Sequence, residues 1–88
     1  MKIKDGFEIR KFGGKWLAVA VDDAAEENNI LITLNETAAF VWNVLKENTE
    51  YSAVISAIVE NYEVDEEIAK RDLDNFLQIC RKHGVLDE

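Results

Sequence analysis

Apolar and polar positions follow two different periods along this chain. Up to Leu34 they alternate in the manner of strands, and from Ala38 onward they recur every three or four residues in the manner of helices. Residues 7–12 set Phe7 and Ile9 against Glu8 and Arg10, Gly13 and Gly14 follow, and the apolar run WLAVAV begins at Trp16. This predicts a hairpin over 7–21, because a glycine pair permits the positive backbone angles of a tight turn. The second strand is apolar on both faces, which predicts a central position with both faces covered. Residues 22–29, DDAAEENN, are polar and mostly acidic, with no branched side chain to favour a strand. They read as an exposed loop, with room for one helical turn over 24–28.

The third strand comprises Ile30, Leu31, Ile32, Thr33 and Leu34, with Ile30, Ile32 and Leu34 on one face and Leu31 and Thr33 on the other. Asn35 stops the run and has the side chain of an N-cap, while Glu36 offsets the positive end of the helix that follows. Ala38, Val41, Trp42 and Leu45 share one face of this first helix. After a break at 46–49, Thr49 is the expected cap of a second helix carrying Tyr51, Val54, Ile55, Ile58, Val59 and Tyr62 at a period of three and four. Asp65 opens a third helix with Glu66 and Glu67 in its first turn. Gly84 ends it after Arg81, Lys82 and His83, and Val85 and Leu86 are expected to fold back over that end.

Three strands followed by three helices predict an α+β domain over 1–88. In the strand order 1-2-3 the third strand is an edge, and it lacks the Lys or Pro that discourages pairing with another chain. On the third helix, Ala69, Leu73, Phe76, Leu77 and Cys80 form the stripe expected to pack on the other helices. Ile68, Asp72, Ile79 and His83 fall on one flank of that stripe and mix large apolar groups with hydrogen-bonding ones. Such a flank suits the wall of a groove, or it widens the core.

Composition narrows the function classes. The hydrophobic fraction of 48% with 32% charged residues fits a folded globular chain. A net charge of -8 opposes binding to a phosphate backbone and favours a neutral or positive partner. The N-terminus has no apolar core of signal-peptide length, and no apolar run can cross a bilayer. One cysteine, Cys80, excludes an intrachain disulfide, and the cytoplasm is the expected location. Cys80 and His83 are three apart on a helix but supply two ligands where zinc wants three or four. No nucleophile with its base and no phosphate-binding loop is present, so no catalytic residue, metal site or cofactor is expected.

The run LITLNETAAFVW, with Leu34, Asn35, Glu36, Thr37, Ala38, Ala39 and Trp42 as its specific part, resembles the signature of the PqqD-like family, the small peptide chaperones of ribosomally made, modified peptides. The resemblance spans nearly the whole chain. It implies a winged-helix-like fold, with a three-stranded antiparallel sheet packed on a three-helix bundle, and a non-catalytic role: binding the leader of a precursor peptide and presenting it to a modifying enzyme, commonly a radical S-adenosylmethionine enzyme. It further implies that the leader adds as a strand beside residues 30–34, with its side chains against Ile68, Asp72, Ile79 and His83. Asn35, Thr37 and Trp42 match motif positions that read as structural. Two alternatives stand beside this, a winged-helix DNA-binding protein and an unrelated protein–protein adaptor. Against the first, the third helix carries Glu66, Glu67, Asp72 and Asp74, where a recognition helix presents a basic face.

Overall fold

The computed structural model describes residues 1–21 and 31–88. Its elements are β1 (Lys2–Ile3), β2 (Phe7–Phe12), β3 (Lys15–Ala20), β4 (Leu31–Leu34), α1 (Glu36–Val44), α2 (Tyr51–Tyr62), α3 (Glu66–His83) and β5 (Leu86–Asp87). β2, β3 and β4 form an antiparallel sheet in that order, so the fold is α+β, with the expected three-stranded sheet and three helices among the described residues. The loop expected at 22–29, with its possible helical turn, and Ile30 lie outside the described residues.

The hairpin turns where the glycines stand, and both adopt positive φ, 58° at Gly13 and 82° at Gly14. β3 is central as expected, but its faces differ. Ala18 is buried with Ile32 and Leu34 against the helices, whereas Leu17 and Val19 on the other face are half-buried and lie outside the core cluster. The expectation that both faces are covered thus holds for one face among the described residues.

Each helix starts and stops for a local reason. The Ala38 backbone N–H donates to Asn35 Oδ1 at 2.8 Å, and the Ile68 N–H donates to Asp65 Oδ1 at 3.0 Å, so both caps satisfy an orphan amide. α2 differs from expectation. Its N-cap is Glu50, which makes no side-chain cap bond, while the Thr49 hydroxyl donates backwards to the carbonyls of Glu47 and Val44. α3 ends in Gly84 at φ 69°, with the Gly84 N–H donating to the Arg81 carbonyl and the Val85 N–H to that of Cys80. This double closure puts Val85 over the helix end, where it is fully buried.

The core lies where the three helices meet the inner face of the sheet. Trp42, Leu45, Val54, Ile58 and Leu73 are fully buried, and the Trp42 and Phe76 rings meet edge to face at 6.5 Å. A two-stranded ribbon not anticipated from sequence joins the chain ends, pairing Lys2 with Asp87 and Ile3 with Leu86. The Ile3 N–H also donates to the Leu45 carbonyl at 2.7 Å, tying this ribbon to the end of α1.

Candidate functional site

β4 pairs with β3 along one side, Leu34 opposite Trp16 and Ile32 opposite Ala18, and among the described residues no strand pairs with its other side. An open edge presents main-chain donors and acceptors to any extended segment laid beside it. Ile32 and Leu34 are 5% and 4% exposed and belong to the core, so they hold β4 in place. Thr33 is exposed on the opposite face. This stretch therefore offers a partner its backbone and Thr33, not the side chains of Ile32 and Leu34.

The buried stripe of α3 is the one expected, Ala69, Leu73, Phe76, Leu77 and Cys80, and it has two unlike flanks. On one, the Tyr51 hydroxyl donates to Asp74 at 2.7 Å, which fixes that flank against α2 and raises the Tyr51 pKa through the bond to a carboxylate. The other flank turns towards the junction of β4 and α1. There Asp72 and Asn75 line a depression of about 90 Å³ with Asn35, Thr37, Ala38 and Val41.

The four flank residues fare differently. Asp72 reaches the junction, and Ile68, one turn earlier, is half-buried. Ile79 is 42% exposed, a large apolar side chain that the core leaves out. His83 is exposed in the last turn, eleven residues beyond Asp72 and so about 16 Å further along the axis. Asn75, on the same flank three residues after Asp72, was not singled out from the sequence. Its spacing from Asp72 was the available signal.

The chemistry of the remaining groups is quiet. Burial pushes the Cys80 thiol up to about 12, which keeps it protonated and poorly nucleophilic. Among the described residues no three His, Cys, Asp or Glu side chains converge on a common point. A second cavity, about 660 Å³, is an open cleft between α2 and α3 that includes Tyr51, Ile55, Val59 and the Lys70–Glu66 ion pair. It lies on the far flank of α3 from β4, and none of its lining residues belongs to a strand.

A family model described as "Coenzyme PQQ synthesis protein D (PqqD)" matches residues 23–86. No curated protein matches the chain. Among solved structures, the chain is similar to one described as "TbiB1 in Complex with the TbiA(beta) Leader Peptide", at 22% identity and a TM-score of 0.73, with 99% of this chain and 95% of that one covered. At this identity the likeness is one of fold.

Proposed function

Because the chain belongs to the PqqD family, we propose that it is a non-catalytic peptide chaperone: it binds the leader of a ribosomally made precursor and presents it to a modifying enzyme of the radical S-adenosylmethionine class. The observation that carries this reading is the open edge of β4 lying at the same junction as the uncommitted flank of α3. The leader adds as a strand beside residues 30–34, and its main chain bonds to the edge. Its inward side chains meet Ile68, Asp72 and Ile79, with His83 at the far end. The likeness to TbiB1, whose structure holds a leader peptide, supports the same mode.

Strand addition tolerates many sequences, so selectivity rests on the side-chain wall and on charge. With a net charge of -8, the surface favours leaders carrying Lys or Arg beside an apolar anchor, and affinity falls as salt rises. The test uses a fluorescent synthetic leader from a precursor peptide sought among the open reading frames that neighbour the gene. Ile79→Asp places a charge in the wall, and because Ile79 is 42% exposed the fold survives. Binding weakens by more than about tenfold with an unchanged circular dichroism spectrum. Parental affinity in the folded variant would remove Ile79 from the site.

A further inference from the structure

The register of the sheet places Glu8, Arg10, Phe12, Lys15, Leu17, Val19 and Thr33 on the face turned away from the helices. Arg10 stands opposite Leu17, Phe12 opposite Lys15, and Leu17 opposite Thr33, while the alternate positions Ala18 and Ile32 go into the core. Among the described residues nothing apolar packs on this face: Leu17 and Val19 are half-buried outside the core cluster, and Phe12 is 76% exposed. A lone exposed aromatic is ordinary, but here an exposed aromatic shares one sheet face with two half-buried aliphatic side chains at successive alternate positions.

The charge of this patch runs against that of the molecule. β2 and β3 carry Arg10, Lys11 and Lys15 against a single acidic residue, Glu8, in a chain of net charge -8. Lys11 is on the inner face over the Trp16 ring, at 5.7 Å from its centroid, which leaves Arg10 and Lys15 on the open face with Glu8 as its one carboxylate on β2 and β3. The Arg10–Glu8 pair, 3.6 Å long and well exposed, holds Arg10 only weakly. The face therefore suits a protein surface with an apolar centre and carboxylates at its rim.

Geometry names the occupant. Side chains alternate along a strand, so a leader added at β4 sends every second side chain towards α3 and the others onto the open face, next to Thr33. A protein seated there touches this chain and the bound leader together, which presentation requires. Resting on the peptide-binding reading, we propose that the modifying enzyme docks on the open face of the β2-β3-β4 sheet through an acidic-rimmed apolar patch. It reads the outward side chains of the leader along with Phe12 and Leu17. Loaded and empty chains then differ in affinity for the enzyme, and by linkage the enzyme tightens leader binding by the same factor.

The test uses the purified precursor and modifying enzyme encoded beside this chain, with leader binding and enzyme binding measured separately. The double variant Phe12→Ser/Lys15→Glu alters two exposed residues at the hairpin tip, away from the core. Leader affinity stays within about twofold of the parent, and the enzyme's affinity for the loaded chain falls at least about tenfold. The enzyme also binds the loaded parent at least about fivefold more tightly than the empty one. Unchanged enzyme affinity in the double variant, or no binding of the enzyme to the parent, overturns the proposal. So does sedimentation showing a parental dimer that the variant abolishes, since the face would then belong to a second copy. Failure of the leader to bind the parent overturns the peptide-binding reading instead, and the enzyme arm without leader still reports on the face.

Discussion

Asn35 and Trp42 illustrate how single side chains hold the elements around the candidate site in place. Asn35 closes the first turn of α1 directly after β4, so it sets the angle at which the edge strand meets the helices. Asn35→Ala lowers stability by about 1 kcal/mol through the lost cap. Trp42 is wholly buried, and Trp42→Ala lowers it by about 3–5 kcal/mol. Thermal melts check both, and each variant that remains folded binds leader as the parent does. Retained stability with lost binding would make either residue a peptide contact. Asn35, Asp65 and Gly84 were legible because a cap needs one residue type at one place. Thr49 was misread because its hydroxyl has two choices. It satisfies the carbonyls of the preceding turn, and the last non-helical position before α2 falls to Glu50.

At the scale of elements, the three helices and the hairpin could be read because each repeats its pattern over several residues. The stripe of α3 has one solution on a helix, and the structure buries those same five side chains. β1 and β5 could not be read that way, since two residues carry no period and their pairing joins opposite ends of the chain. Nor could sequence show that the helices cover one face of β3 and leave Leu17 and Val19 half-buried, because an apolar run looks the same in either case. The flank of α3 was legible as a mixed strip, but its position beside Asn35 and Thr37 needed the fold. α2 ends on Glu63 at φ 52°, a left-handed conformation that favours glycine. Glu63→Gly therefore raises stability by up to about 1 kcal/mol. A denaturant titration with an unchanged or lower midpoint would contradict that.

The whole molecule closes on itself through its ends. Met1 contributes its carbonyl to the Thr49 N–H and its ammonium group to Asn48, Ile3 donates to Leu45, and Lys4 donates to the Val85 carbonyl. Ile3, 4% exposed, plugs the core between the end of α1 and β5. Ile3→Ala costs about 2–5 kcal/mol, measurable by urea unfolding, and leaves leader affinity unchanged in the folded fraction because β4 lies elsewhere. Among the described residues the outer edges of β2 and β4 pair with no further strand, and one face of the sheet lies outside the core. The leader is proposed to lie along β4 and against one flank of α3, and amide shift mapping while it is titrated into labelled protein tests this placement. The expected shifts run along residues 30–34 and at Ile68, Asp72, Asn75 and Ile79, with α2 unmoved. Shifts confined to residues 46–61, with β4 and that flank of α3 unmoved, would contradict it.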